Sequence, residues 1–128
     1  MDNKRKILIV DDEPDVLTLL GERLTKAGYD VIKASSGKEA IDIAENKAPD
    51  LIILDIAMPG LDGSETATLL REAPKTKGIP ILFLTCLFTK QEEKMCGHLL
   101  GQNFFIAKPY DAAELLTEID KRVNPPKP

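Results

Sequence analysis

Carboxylates follow two apolar segments of the chain, at positions where a parallel sheet would present them together. Asp11 and Asp12 come directly after the segment KILIV (residues 6–10), and Asp55 follows the segment LIIL (residues 51–54). Burying a charged carboxylate inside such a strand would be costly, whereas the carboxyl end of a strand is where open α/β sheets bind ligands. The types and spacing of these acids therefore indicate a cation site or phosphoryl chemistry.

A hydroxyl and an amine follow two later apolar segments. Thr85 comes after PILFL, and Lys108 comes after NFFIA. Three neighbouring carboxylates repel one another unless a cation lies among them, and a set of oxygen ligands favours Mg2+ over Zn2+. With Mg2+ bound, the Asp55 carboxylate could attack phosphorus while Lys108 and Thr85 contact the phosphoryl oxygens.

Such a site requires a fold that aligns the ends of several strands. Short apolar segments alternate with amphipathic segments, which predicts a parallel sheet with helices on both faces. Right-handed crossovers then place the carboxyl ends of all strands at one edge. Pro14 suits the first turn of the first predicted helix, Gly28 ends that helix, and Ser35 or Ser36 caps the second. The predicted strands are residues 6–10, 30–34, 50–54, 80–84 and 103–107, and the predicted helices are residues 11–28, 35–47, 62–73, 89–101 and 110–123.

Length and composition are those of one globular domain. The chain has 128 residues, of which 43% are hydrophobic and 30% charged, enough for a core without disulfides. A net charge of −4 makes binding of a nucleic-acid backbone by this domain unexpected. No apolar stretch approaches the roughly 20 residues of a membrane span, and the apolar run near the N-terminus is too short for a signal peptide. We therefore expect a cytoplasmic protein that does not contact a membrane.

Each candidate side chain also has a purely structural interpretation. Asp11 and Asp12 would cap the first helix, and Asp55 would be an ordinary loop acid. Thr85 would be a strand-end residue and Lys108 a solvated lysine. Only the placement of all five at the ends of successive strands favours a common site.

The cysteines and the histidine carry no comparable pattern. Cys86 and Cys96 do not form a CxxC pair, and His98 is the only histidine in the chain. We interpret both cysteines as reduced small hydrophobic residues and assign no catalytic role to the histidine. A Ser-His-Asp or Cys-His nucleophile system is thereby disfavoured.

The chain resembles the receiver domains of bacterial two-component response regulators, from residue 6 to about residue 123. The resemblance is carried by ILIVDDEPDV, DLIILDIAMPGLDG, ILFLT and FFIAKPY, in the order and spacing of that family. It implies an α/β, flavodoxin-like, CheY-like fold: a doubly wound five-stranded parallel sheet of strand order 2-1-3-4-5 with helices on both faces. It also implies a receiver domain at residues 1–124, followed by a Pro-rich tail or linker start at residues 125–128.

The resemblance implies a role for each acid. Asp55 matches the phospho-acceptor of the family. Asp12 matches the direct Mg2+ ligand, and Asp11 matches the second acid, which often acts through water. The main-chain carbonyl of Ala57 would complete the metal contacts of the protein.

The remaining roles concern the conformational switch. Thr85 matches the switch hydroxyl and Lys108 the invariant lysine, with the Lys108–Pro109 peptide bond expected to be cis. Phe105 matches the switch aromatic, which is implied to rotate inward when phosphorylation draws Thr85 towards the site. The face of the fourth helix, fifth strand and fifth helix would then change shape and be read by a partner.

The implied function is signalling by phosphoryl transfer. Asp55 would accept the phosphoryl group from a histidine kinase or a histidine phosphotransfer protein. No enzymatic activity is implied beyond Mg2+-dependent self-phosphorylation and slow autodephosphorylation. The implied partners also include a fused or separate output domain and a second copy bound through the switched face. Met1 suggests that the receiver lies at the natural N-terminus.

The chain departs from the family pattern at several positions. Cys86 stands where the family usually has Ala or Gly, the segment GQN (residues 101–103) replaces GAD, and Phe105 lacks the hydroxyl of a tyrosine. Ala57 and Leu87 are apolar at positions that flank the phosphoryl group, so neither can orient an attacking water. We therefore expect a phosphorylated state that is long-lived unless a phosphatase intervenes.

Two other classes of function are weighed against this one. A phosphate-independent binding module on the same fold is the main alternative. Such modules usually lose one acid or the lysine, whereas this chain keeps them all. A haloacid-dehalogenase-like phosphatase would need a second Asp where Ala57 stands. The P-loop sequence GxxxxGK[ST] and a Ser/Thr-rich flavin-binding loop are both absent.

Overall fold

Strands and helices alternate along the chain, as the sequence predicts. The computed structural model describes residues 5–55, 63–85, 99–100, 103–107 and 111–123. The strands are β1 (Lys6–Val10), β2 (Asp30–Ala34), β3 (Leu51–Asp55), β4 (Ile81–Thr85), β5 (Leu99–Leu100) and β6 (Asn103–Ala107). The helices are α1 (Pro14–Lys26), α2 (Gly37–Lys47), α3 (Gly63–Glu72) and α4 (Ala112–Val123).

The strands form one sheet in the order β2-β1-β3-β4-β6-β5. The pairings β1·β2, β1·β3, β3·β4 and β4·β6 are all parallel. With β6 as the fifth parallel strand, this confirms the predicted fold class and the strand order 2-1-3-4-5. Parallel strands that follow one another through helices have their carboxyl ends at a common edge, which is the edge where the candidate site was predicted.

A short antiparallel strand at one edge of the sheet was not predicted. Leu99 and Leu100 form β5 and pair with Phe104 and Asn103 of β6. Helix was predicted for residues 89–101, which is wrong at these two leucines, while residues 89–98 and 101 lie outside the described part. The leucines are extended because their main-chain groups pair with an edge strand that would otherwise offer unpaired donors and acceptors.

The core consists of two apolar layers, one on each face of the sheet. Successive residues of a strand point to opposite faces, so Ile7 and Ile9 enter one layer whereas Leu8 and Val10 enter the other. Residues of α1 and α4 complete the first layer, and residues of α2 and α3 complete the second. Both faces of the strands are therefore buried, as expected for a parallel sheet. Within the described ranges, every helix is too short or too polar to cross a membrane.

The predicted helix-end signals are confirmed at the two helices that flank β2, although α1 spans Pro14–Lys26 where helix was predicted for residues 11–28, and α2 begins at Gly37 where residue 35 was predicted. Pro14 lies in the first turn of α1, and the chain leaves this helix through Gly28, whose φ of 99° is accessible to glycine at little cost. Ser36 is the N-cap of α2, where its hydroxyl accepts a hydrogen bond of 3.2 Å from the main-chain N–H of Glu39. The Glu39 carboxylate in turn accepts from the N–H of Ser35 at 2.9 Å, which secures the turn between β2 and α2.

Candidate functional site

Three carboxylates converge at the carboxyl edge of the sheet. The parallel register of β1 and β3 pairs Val10 with Leu54, so the residues that follow them, Asp11 and Asp55, reach the same level. One carboxylate oxygen from each of Asp11, Asp12 and Asp55 lies within 4.8 Å of the other two. The structure therefore brings together the acids that the sequence placed at one site.

Asp11 is tied to the main chain on two sides. Its N–H donates to the carbonyl of Ala34 at 3.2 Å, which joins the ends of β1 and β2. Its Oδ1 accepts from the N–H of Glu13 at 3.0 Å, directly before α1 begins. Asp11 is only 6% exposed, and these contacts fix its carboxylate relative to both neighbouring elements.

The N-cap of α1 is Glu13, whose side chain makes no capping hydrogen bond. The interpretation that Asp11 or Asp12 caps the first helix is therefore wrong, because neither residue occupies the N-cap position. Asp11 nevertheless supports the entrance to the helix through the Glu13 N–H. Sequence reasoning missed this contact, although an Asp that accepts from the N–H two residues later is a recurrent turn motif.

The three acids differ in their access to water. Asp11 is buried, Asp55 is half-buried and Asp12 is exposed. Like charges at such short separations repel, and the repulsion is stronger where water is partly excluded. Asp12 and Asp55 can combine carboxylate ligands with water ligands, which is the usual way in which proteins bind Mg2+. The donor set therefore fits a hard divalent cation, and among the described residues it includes no nitrogen or sulfur ligand that would favour Zn2+.

The other predicted site residues are only partly described. Thr85 is the last residue of β4, and the register pairs it with Ala107, the residue before Lys108. Because Asp55 pairs with Leu84, the main chain of Thr85 lies one residue further along the neighbouring strand. The side chain of Thr85, together with Ala57, Lys108 and the Lys108–Pro109 peptide bond, lies outside the described residues, so their roles stay predictions.

Phe105, the predicted switch aromatic, lies on β6 in the middle of the core. Its side chain is 0% exposed and belongs to the layer that faces α2 and α3. Its register partner on β4 is Phe83, which is also buried. The ring thus occupies an inward position.

The last helix carries an ion pair between Glu118 and the partly buried Arg122. The Glu118 carboxylate lies 2.9 Å from the Arg122 guanidinium and 3.3 Å from the Lys121 ammonium. Burial lowers the pKa of Arg122, and the charge of Glu118 partly opposes this effect. The pair belongs to one element of the face that was predicted to contact a partner.

Comparison with known proteins finds a matching family and similar regulatory proteins. Residues 7–120 match the family model of the response regulator receiver domain. The chain is 45% identical over 113 residues to the alkaline phosphatase synthesis transcriptional regulatory protein PhoP of Bacillus subtilis (87% of this chain, 45% of that protein). It is 40% identical over 116 residues to a probable transcriptional regulator, ycf27, of Porphyridium aerugineum (91% and 47%). The chain thus spans about half the length of these curated relatives.

Solved structures agree with the sequence relatives. A putative response regulator from Chloroflexus aurantiacus has a TM-score of 0.81 at 36% identity, over 94% of this chain and 98% of that chain. The receiver domain of a sensor histidine kinase from Pseudomonas aeruginosa, with a magnesium ion coordinated in its active-site cleft, has a TM-score of 0.80 at 28% identity, with the same coverage. With the family model matched over nearly the whole chain, these likenesses show that the chain belongs to the response regulator receiver domain family.

Proposed function

We propose that this chain is a phospho-acceptor domain in which Asp55 accepts a phosphoryl group in the presence of Mg2+. The observation that carries the proposal is the approach of the Asp11, Asp12 and Asp55 carboxylates to within 4.8 Å of one another. Such a cluster is suited to a divalent cation and, with the cation, to a phosphoryl group. Membership of the receiver family and the magnesium ion in the Pseudomonas structure support the same assignment.

In the proposed reaction, a carboxylate oxygen of Asp55 forms a bond to phosphorus. The bond between phosphorus and the imidazole nitrogen of the donor breaks, and that nitrogen keeps the electron pair. Bound Mg2+ would supply positive charge that offsets the charge on the phosphoryl oxygens and the carboxylates. The product is an acyl phosphate on Asp55, a known type of covalent intermediate.

The other residues would bind and orient the reacting groups. Asp12 and Asp55 would contact the cation directly, and the main-chain carbonyl of Ala57 would add a ligand. Asp11 would act through water, which suits a carboxylate with one oxygen already engaged by the Glu13 N–H. Lys108 and the Thr85 hydroxyl would contact the phosphoryl oxygens as a cation and a neutral donor.

The proposed donor is a histidine kinase or a histidine phosphotransfer protein in the cytoplasm. The proposed receiver of the signal is an output domain, fused or separate, or a second copy of the chain, bound at the face that contains β6 and α4. Several curated relatives are named as transcriptional regulators and are about twice as long as this chain, which supports a connection to an output domain. Beyond self-phosphorylation and slow autodephosphorylation, we propose no enzymatic activity.

The test is the intact mass of the protein after incubation with acetyl phosphate, with and without Mg2+. We expect an adduct of about 80 Da, one phosphoryl group, that requires both Mg2+ and Asp55. Asp55→Asn is expected to remain unmodified because it keeps the size of the side chain but removes the nucleophile. Asp42→Asn, an exposed change on α2, is the matched control and should be modified like the wild type.

The outcomes separate the two functions that the sequence left open. An adduct on wild type and Asp42→Asn but not on Asp55→Asn supports the proposal. A folded wild-type protein that gains no adduct with acetyl phosphate or a phosphorylated histidine donor would refute it and favour the phosphate-independent binding module.

A further inference from the structure

The peptide group between Ala34 and Ser35 is hydrogen-bonded on both sides at the end of β2. Its carbonyl accepts from the N–H of Asp11 at 3.2 Å, and its N–H donates to Oε1 of Glu39 at 2.9 Å. Because a peptide group is planar, the two hydrogen bonds hold the orientation of a single rigid unit. Glu39 on α2 is therefore linked through one peptide group to a residue of the acidic cluster.

The contact of Glu39 differs from that of an ordinary capping box. In that motif, the acid three residues after the N-cap accepts from the main-chain N–H of the N-cap residue itself. Here the N-cap is Ser36, and the Glu39 carboxylate accepts from the N–H of the preceding residue, Ser35. The ordinary contact would hold only the end of the helix, whereas this one holds the peptide group that accepts from Asp11.

This link runs from the surface of the protein to the buried side of the acidic site. Glu39 is exposed, whereas Ala34 is 1% and Asp11 is 6% exposed. An acceptor at the N–H of a peptide group polarises that group and strengthens its carbonyl as an acceptor. The Asp11 N–H is thereby held more firmly against the end of β2, which restricts the direction in which the Asp11 carboxylate leaves the main chain.

We propose that Glu39 is a positioning residue for the acidic site and acts on Asp11 through the peptide group between Ala34 and Ser35. The inference rests on the proposed function, in which the three clustered carboxylates bind Mg2+. In this role Glu39 contacts neither the cation nor the phosphoryl group. Hydrogen bonds that orient metal ligands typically contribute about 10- to 100-fold to metal affinity, and because Glu39 acts through an intervening peptide group we expect about 3- to 10-fold.

The test separates the reach of the Glu39 side chain from its charge. Glu39→Gln keeps an acceptor oxygen at the same distance from the main chain and loses the charge, whereas Glu39→Asp keeps the charge and is one methylene too short for the N–H of Ser35. Ser36→Ala is the matched control, because it removes the capping hydrogen bond to the Glu39 N–H and leaves the contact between Glu39 and Ser35. Urea unfolding confirms that each variant is folded under the conditions of measurement.

Two readouts are measured on the folded proteins: the dissociation constant of Mg2+ by calorimetry and, in EDTA, the NMR shift and exchange rate of the Asp11 amide proton. In Glu39→Asp we expect Mg2+ to bind about 3- to 10-fold more weakly and the Asp11 amide proton to shift upfield and exchange faster. Glu39→Gln and Ser36→Ala should match wild type in both readouts, although Ser36→Ala should be less stable.

Three results would overturn the proposal. They are wild-type values of both readouts in Glu39→Asp, a loss in Glu39→Gln as large as that in Glu39→Asp, and an equal loss in Ser36→Ala, which would assign the effect to the helix end as a whole. The intact mass after incubation with acetyl phosphate and Mg2+ is measured in parallel. A wild-type protein that forms no adduct refutes the proposed function, while the Asp11 amide signal in EDTA still decides whether Glu39 positions Asp11.

Discussion

The Oδ1 atom of Asp11 accepts a hydrogen bond of 3.0 Å from the main-chain N–H of Glu13. The same carboxylate belongs to the cluster with Asp12 and Asp55. Asp11 thus serves two purposes: one oxygen fixes the entrance to α1, and the negative charge contributes to the acidic site. The two roles should respond differently to substitution. Support of the helix entrance needs only a hydrogen-bond acceptor, whereas the contribution to the acidic site needs the negative charge.

Asp11→Asn keeps an acceptor oxygen and removes the charge, whereas Asp11→Ala removes both. In EDTA we expect the Asn variant to be at least as stable as wild type, because repulsion in the cluster is relieved. The Ala variant should be less stable than the Asn variant by about 1 kcal/mol, the value of a typical hydrogen bond. Urea unfolding of the three proteins measures this, and equal stability of the two variants would show that the bond to Glu13 contributes nothing.

Mg2+ should stabilise the wild-type protein. A ligand that binds only the folded state at ten times its dissociation constant adds about 1.4 kcal/mol to the free energy of unfolding. Both Asp11 variants should gain less at the same Mg2+ concentration, because one negative charge is missing. Urea titrations across a series of Mg2+ concentrations check this, with Asp42→Asn as a control that should gain as much as wild type.

Lys6 and Asp50 join β1 and β3 at the opposite edge of the sheet. The N–H of Lys6 donates to Oδ2 of Asp50 at 2.8 Å, and the N–H of Asp50 donates to the carbonyl of Lys6 at 2.8 Å. Asp50→Ala removes the side-chain acceptor and should cost about 1–2 kcal/mol. Because the site lies at the other end of these strands, the affinity for Mg2+ should not change.

The control for Asp50 is Lys6→Met. The Lys6 ammonium makes an exposed hydrogen bond of 2.9 Å to the carbonyl of Lys47, and its loss should cost less than about 0.5 kcal/mol. Unfolding by urea and Mg2+ binding by calorimetry are measured on both variants. A loss of Mg2+ affinity in Asp50→Ala would contradict the expectation that a change at this end of the strands leaves the acidic site at their other end unaffected.

Much of the fold was predictable because its signals are local. The alternation of apolar and amphipathic segments identifies the five parallel strands, and Pro14, Gly28 and Ser36 mark helix ends through their own chemistry. The convergence of Asp11 with Asp55 was also predictable, because strand ends in such a sheet share an edge. These features need no knowledge of long-range packing.

The features that were missed depend on contacts that a pattern does not record. A two-residue strand such as Leu99–Leu100 has no periodicity, and it exists only because the edge of β6 is available to pair with it. The bond from Glu13 to Asp11 depends on main-chain geometry. Ala48 takes a left-handed conformation, with φ of 47°, at a helix end where the sequence signal would be glycine.

Ala48→Gly should stabilise the protein. The left-handed conformation is unfavourable for alanine and accessible to glycine, and after the greater flexibility of unfolded glycine is subtracted we expect a gain of about 0.5–1 kcal/mol. Ala27, the C-cap of α1, is a matched control, because its φ of −80° and ψ of −2° suit alanine. Ala27→Gly should therefore destabilise, and thermal unfolding of both variants measures the difference. The same sign at both positions would contradict the argument.

Tyr29 should make the stability fall at alkaline pH. Burial, and to a lesser extent the negative charge of Asp120, raises the pKa of Tyr29 above its ordinary value of 10.0. The folded protein then holds the phenolic proton more tightly than the unfolded chain does, so the contribution of Tyr29 is complete up to about pH 9 and is lost as the pH rises through the raised pKa. Tyr29→Phe has no proton to lose, so the difference in unfolding free energy between wild type and variant should be constant up to about pH 9 and then shift in favour of the variant. Urea unfolding of both proteins from pH 8 to 11, with phenolate absorbance of the folded wild type, measures this difference. Asp120→Asn should reduce the shift in the pKa of Tyr29 only in part. Parallel stability curves for wild type and Tyr29→Phe would instead show that the tyrosine titrates alike in the folded and unfolded states.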